Sequence, residues 1–244
     1  NIYLSDEKLH RITKFDRDGN PVSYWGEKGS QPGQFNQPSG LLVQGEALLV
    51  VDSRNNRIQK YTLDGQFIEQ WGSQGLGNGE FDLPWGICDD SNGYIYVSDW
   101  RNDRIQKFTS EGVFVAVIGH SGSGDGQLNR PAGVAVDEEG NIYVADWGNQ
   151  RFKVLDSDGN FLDSQRGAAE LNPWAVEYLA SQDDEREARA TYQSVYVADT
   201  DDPSEVSARM EAYLWDPCSV RLDDDGRVYV LDTGRHRFQI FQRV

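Results

Sequence analysis

The sequence predicts an all-β protein folded as a six-bladed β-propeller, and three observations carry that expectation. Short apolar runs rich in Val, Ile, Tyr and Phe alternate with turn-forming Asp, Gly and Asn, as in Gly133–Val136, Ile142–Ala145, Phe152–Leu155 and Phe161–Leu162, which reads as a meander of strands. The phrase GNIYVADWGNQRFKV returns as GYIYVSDWRNDRIQKF, LLVVDSRNNRIQKY, NIYLSDEKLHRITKF and RVYVLDTGRHRFQIF. Its aspartates Asp6, Asp52, Asp99 and Asp146 are spaced by 46, 47 and 47 residues, and the prolines Pro38, Pro84, Pro131, Pro173 and Pro217 by 46, 47, 42 and 44. A fixed period of that size with four strands per unit marks a propeller.

Taken in order, the units span 1–37, 38–83, 84–130, 131–172, 173–216 and 217–244, all within one domain. The first lacks the innermost strand, since Asn1–Ser5, His10–Phe15 and Val22–Gly26 match the second to fourth. The last lacks the outermost, with strands at Ser219–Leu222, Val228–Leu231 and Arg237–Phe241. About twenty residues before Asn1 would supply both missing strands, so the natural polypeptide is expected to extend upstream. Units two to four are regular. The loops GEKGSQPGQFNQP, GSQGLGNGEFDLP and GHSGSGDGQLNRP each place Phe or Leu three residues before the proline, where it is expected to plug the gap between blades. They carry no phosphate-binding pattern. Trp25 and Trp71, at repeated strand ends, are expected to pack between blades.

The fifth unit is irregular. A first strand is expected over Ala175–Leu179, followed by a long polar excursion through SQDDEREARATYQ that reads as a solvated loop or short helix. Residues 200–216 suit a shortened pair of strands, although Asp202, Pro203 and Glu205 also form a helix start.

Composition narrows the function. With 23 Lys and Arg against 40 Asp and Glu, a net charge of -17 and a pI near 4.5, the surface opposes phosphate backbones and a nucleic-acid partner is not expected. No apolar run approaches the roughly 18 residues of a membrane helix, so a soluble chain without membrane insertion is expected. Cys88 and Cys218 fall in innermost strands of opposed blades, too far apart to bridge.

The recurring PxGVAVDxxGNIYVADxxNxRIQKF resembles the NHL repeat family of six-bladed propellers over nearly the whole chain. Five copies pair an Asp with an Arg five residues on: Asp6 with Arg11, Asp52 with Arg57, Asp99 with Arg104, Asp146 with Arg151, and Asp232 with Arg237. In the fifth unit the nearest match, Asp199 with Arg209, is stretched. A catalytic group is needed once and a pair that pins a turn is needed in every blade, so these pairs read as structural.

The resemblance implies several activities to test. Amidating lyases on similar propellers place histidines after the blade-opening proline to hold zinc; here those positions are Ser39, Trp85, Ala132, Trp174 and Cys218, so that site is absent. His10, His120 and His236 read as surface histidines. Calcium-dependent lactonases use acidic ligands at the channel mouth, for which Asp199, Asp201 and Asp202 form the one cluster worth probing. RNA-binding NHL domains use a basic top face; Arg54 and Arg101 occupy such positions, but the net charge argues against RNA. No Gly-x-Ser-x-Gly elbow or Cys-His pair occurs.

Strand parity in a meander puts the blade-opening loops and the loops between second and third strands on one face. Trp85, Trp100, Trp147 and Trp174 are expected to converge there with Arg54 and Arg101, as a surface for a protein, peptide or small ligand. The expected function is a non-enzymatic recognition scaffold without a cofactor. The alternative is a metal-dependent lyase or hydrolase with its site at the central channel mouth, with calcium as the candidate ion.

Overall fold

The computed structural model describes residues 1–167, 173–191 and 200–242. Its strands form five radial sheets, each an antiparallel meander. The first holds β1 (Ile2–Asp6), β2 (Arg11–Phe15) and β3 (Pro21–Trp25). The second holds β4 (Pro38–Gln44), β5 (Ala47–Asp52), β6 (Arg57–Thr62) and β7 (Phe67–Trp71), and the third β8 (Pro84–Asp89), β9 (Ile95–Asp99), β10 (Arg104–Phe108) and β11 (Phe114–Ile118). A two-stranded parallel clip, β12 (His120–Ser121) with β13 (Gln127–Leu128), closes the next loop. The fourth sheet holds β14 (Pro131–Val136), β15 (Ile142–Asp146), β16 (Arg151–Leu155) and β17 (Phe161–Gln165). After three helices, α1 (Pro173–Ala180), α2 (Asp183–Thr191) and α3 (Pro203–Arg209), the last sheet holds β18 (Pro217–Leu222), β19 (Arg227–Asp232) and β20 (Arg237–Gln242).

Five blades therefore replace the six expected, because the described residues of 173–216 form helices and turns rather than strands. The supposed first strand, Ala175–Leu179, lies in α1, and 203–209 is helical rather than stranded. The local chemistry favours helix. Asp202 caps α3, accepting from the backbone N–H of Ser204 at 2.8 Å and of Glu205 at 3.3 Å, with Pro203 opening the first turn, where its missing N–H costs nothing. Three acids open α2, and Arg186 pairs with Asp183 at 2.5 Å.

The ring skips the helices without a gap, for β18 packs directly against β14, as β14 does against β8 and β8 against β4. The connection from Arg166 to Asp216 is an enlarged version of the regular interblade loop. In the regular loops a left-handed glycine at 26, 72 or 119 lies against Phe35, Phe81 or Leu128, each fully buried, which bears out the plug expected at that position. Gly167, with φ +111°, lies against Leu214, also fully buried, and Leu214 N–H donates to Arg166 O at 2.6 Å. The two ends of the helical insertion thus meet at one point.

Apolar clusters fill the four spaces between consecutive blades. Trp25 reaches Tyr61 of the next blade, and Trp71 reaches Phe108, so both pack between blades. Inner strands meet backbone to backbone: a Cβ on Gly133 would lie 2.7 Å from Ser219 Cα, and one on Gly86 2.5 Å from Ala132 O, so only glycine permits this approach. The outer faces of the first and last sheets carry exposed apolar side chains, among them Ile2, Leu4 and Tyr24 at one end and Phe238 and Ile240 at the other. Cys88 and Cys218 are free thiols, and burial pushes the Cys88 thiol up. Among the described residues no helix is long and apolar enough to cross a membrane.

Candidate functional site

Four of the five motif aspartates, Asp52, Asp99, Asp146 and Asp232, end a second strand and lead into a 3-10 turn: Ser53–Asn55, Trp100–Asn102, Trp147–Asn149 and Thr233–Arg235. Asp52 Oδ1 accepts the N–H of Asn36 at 2.7 Å, while Oδ2 accepts from Arg57, Asn55 and Gln59 at 2.8, 2.9 and 3.0 Å. The guanidinium of Arg57 goes on to the carbonyls of Ser30, Gln31 and Gln34 in the interblade loop. Asp99 with Arg104, Asp146 with Arg151 and Asp232 with Arg237 repeat the arrangement, each aspartate fully buried. Burial raises the Asp99 and Asp146 carboxyls, against the pull of the hydrogen bonds they accept. A carboxylate so buried and bonded is committed to the scaffold.

The first blade departs from this rule. Asp6 accepts instead from the N–H groups of Lys8 and Leu9, and Arg11 lies over the Tyr24 ring at 4.8 Å. In the last blade the Asn of the turn is replaced by Arg235, which donates to carbonyls of Ser207, Ala208 and Met210 and so holds α3.

A second repeated device went unread in the sequence. The residue before each motif arginine is left-handed, and in four of the five its side chain accepts the N–H preceding the next opening proline: His10 from Gln37, Asn56 from Leu83, Asp103 from Arg130, and Gln150 from Asp216. His10 is thereby a blade-to-blade latch. His120 and His236 are exposed.

These contacts define one face. The 3-10 turns are pinned to the segments just before the opening prolines, through Arg54 N–H to Asn36 O, Arg101 N–H to Asp82 O, Gly148 N–H to Asn129 O and Gly234 N–H to Trp215 O. On it Trp100 and Trp147 meet at 5.7 Å between centroids, with the Arg130 guanidinium over both rings at 5.1 and 5.8 Å. Arg130 was not singled out in the sequence; its place just before Pro131, opposite the two Trp-bearing turns, was the available signal.

The channel opens on the same face as a cavity of about 370 Å³ walled by all five sheets. Arg54 and Trp85 line it, Trp85 being 42% exposed. Gln37 holds the Nε of Arg54, and the Ser39 and Ser53 hydroxyls share a hydrogen bond of 2.7 Å. The sequence-named residues thus divide into two groups, Arg54 with Trp85 at the channel and Trp100 with Trp147 at the turns. Arg101 is exposed on its turn. Trp174 falls in α1, and its side chain lies outside the described residues.

The opening-proline positions at the channel mouth are not the histidines of the zinc lyases that the resemblance implied. They present the hydroxyl of Ser39, the indole of Trp85 and the thiol of Cys218, whose Sγ accepts from Thr233 Oγ1 at 2.8 Å. Among the described residues no group of three or more His, Cys, Asp or Glu could hold an ion. Asp201 is exposed, the carboxylate of Asp202 is engaged as the α3 cap, and Asp199 lies outside the described residues.

Fold and site together define a β-propeller whose repeats are scaffold and whose unrepeated residues gather at one face. Residues 81–108, 128–155 and 214–241 of this propeller match the NHL repeat. It is similar in structure to a streptogramin B lyase, with a TM-score of 0.58 at 14% identity over 99% of this chain and 64% of that one. It is also similar to virginiamycin B lyase from Staphylococcus aureus, with a TM-score of 0.56 at 14% identity over 98% and 65%. A Bacteroides thetaiotaomicron protein of unknown function gives 0.65 at 17% identity over 98% and 56%. This chain therefore spans less than two thirds of the length of each. No curated protein matches the sequence.

Proposed function

We propose that this protein is a recognition module that binds a protein, peptide or small ligand on the face carrying the 3-10 turns and the channel mouth. The observation that carries the reading is the contrast between repeated and unrepeated residues on that face. The repeated Asp, Arg and Gln side chains are spent on one another and on loop carbonyls, whereas Arg54, Trp85, Trp100, Arg101 and Trp147 vary from blade to blade and are at least partly open to solvent. Trp and Arg are the side chains that most often anchor binding. The insertion supports the same face, because α3 packs beside the turn that bears Trp147. Affinity capture with the wild type and with Trp85→Ala and Trp100→Ala tests the reading: loss of the bound species with both variants, each melting as the wild type does, is expected, and retention of every bound species by both would refute it.

The second reading, a metal-dependent lyase or hydrolase at the channel mouth, is favoured by the named lyases among the similar structures, although likeness at such identity speaks to fold. Metal analysis of protein purified from its natural source separates the two, a stoichiometric ion favouring the enzyme.

A further inference from the structure

The charges lining the channel cavity run against those of the whole molecule. The chain carries -17 overall, yet the charged side chains lining the cavity are Glu7, Arg54 and Arg221, a net positive set. Among the described residues neither guanidinium has a carboxylate within ion-pair distance, in contrast to the guanidiniums of Arg57, Arg104, Arg151, Arg227 and Arg237. Arg54 comes from the turn of the second blade and lines the cavity with its Nε held by Gln37. Arg221 comes from β18 in the last blade, its Nη1 3.4 Å from Val134 O.

With 40 acidic side chains in the sequence, two cations without acidic partners in one concavity call for an anion from outside. The guanidinium fork matches a carboxylate in the plane of its N–H groups. The same cavity is lined by the apolar side chains of Trp85, Ile87 and Val134 and by Ser39 and Ser53, whose hydroxyls are hydrogen-bonded to each other. The volume, about 370 Å³, is that of a small-molecule site rather than a protein groove. Glu7 on the rim leaves a surplus of one positive charge, which fits a monoanion better than a phosphate.

Taking the channel-mouth reading as its premise, we infer that the cavity binds a small organic carboxylate, its anionic group between Arg54 and Arg221 and its flat apolar part on Trp85.

The test uses the full chain and matched pairs of probes: benzoate and benzamide, naphthalene-2-carboxylate and its amide, indole-3-acetate and its amide, titrated by saturation-transfer NMR. At least one carboxylate is expected to bind about tenfold or more tightly than its amide, as one charge-assisted hydrogen bond implies. Arg54→Gln and Arg221→Gln, both at solvent-open positions, should each remove most of that preference without moving the melting temperature, and Arg221→Lys should restore part of it. Equal binding of acid and amide, abolished by Trp85→Ala, would overturn the carboxylate assignment while leaving the binding face intact. Failure of every probe to bind at millimolar concentration would also overturn it, and the face would then stand or fall by the capture experiment alone.

Discussion

Replacing Lys153 with glutamine should make the protein more stable at neutral pH. Lys153 is fully buried and occupies the place held by Gln59, Gln106 and Gln239 in three other blades. Its Nζ donates to the carbonyls of Gly124 and Gln127, but burial, and then the Arg151 charge, lower its pKa to about 8. An ordinary lysine near 10.5 differs from that by roughly 3 kcal/mol. The glutamines do the same work without charge: Gln106 Nε2 donates to Glu80 O at 2.6 Å and to Asp99 Oδ2 at 3.0 Å, while its Oε1 accepts from Gly79 N–H at 2.9 Å. A lysine has no acceptor to offer the corresponding Gly126. Allowing for the carbonyl bond lost, Lys153→Gln should gain about 1–3 kcal/mol, or roughly 3–10 °C in melting temperature for a chain of this size. The pH dependence has a definite sign. Below pH 8 both folded and unfolded states hold the proton and the penalty is fully present. Between about 8 and 10.5 the unfolded chain binds more protons, so wild-type stability rises with pH and the advantage of the variant shrinks. Thermal melts of both proteins from pH 7 to pH 10 measure this; a variant no more stable at pH 7, or an advantage unchanged at pH 10, would refute the reasoning.

Two further perturbations separate scaffold from insertion. Asp99→Ala, which strands the buried Arg104 guanidinium, should cost about 3–5 kcal/mol in a denaturant titration, whereas Asp6→Ala, which loses two exposed turn bonds to Lys8 and Leu9, should cost about 1 kcal/mol; equal losses would contradict the structural difference between the first blade and the rest. Replacing residues 168–210 with a short loop like that between the second and third blades should leave the far-ultraviolet β signal and a single cooperative melt, because Leu214 N–H already meets Arg166 O; loss of the cooperative melt would mean that the helices hold the ring together.

The blades were legible because their signal is repeated, and repetition averages out local ambiguity. Strands two to four of the first sheet, the regular second to fourth sheets and the three strands of the last were all readable from the Asp and Pro spacing. The expected fifth unit, 173–216, was an artefact of one proline. Pro173 stands 42 residues after Pro131 and mimics the period, but it opens a helix, where a proline at the first position is as well accommodated as at a strand start. The better markers were on the page: Gly167 and Leu214 repeat the Gly and Phe or Leu that bracket every regular loop, separated by a far longer stretch. For the site, strand parity put the turns bearing Arg54, Trp100, Arg101 and Trp147 and the opening position of Trp85 on one face, but not their division into a channel group and a turn group. It was blind to Arg221, because that residue's importance depends on which wall of the channel it faces and on the absence of a carboxylate near it, and neither is a property of sequence spacing.

The division of labour between repeated and unrepeated residues follows from hydrogen-bond capacity. The motif aspartate spends both oxygens on four donors in the second blade, the motif arginine spends its guanidinium on that carboxylate and on loop carbonyls, and the following Gln or Lys binds the same loop. A residue so engaged cannot change without leaving a buried polar group unpaired, which is costly. The position just after each aspartate is under no such constraint, since the turn is held by backbone N–H groups. It reads Ser53, Trp100, Trp147 and Thr233, and the next residue Arg54, Arg101, Gly148 and Gly234. Variation is therefore concentrated by the scaffold itself on the turns of one face, two residues per blade, where side chains can change without leaving a buried polar group unpaired.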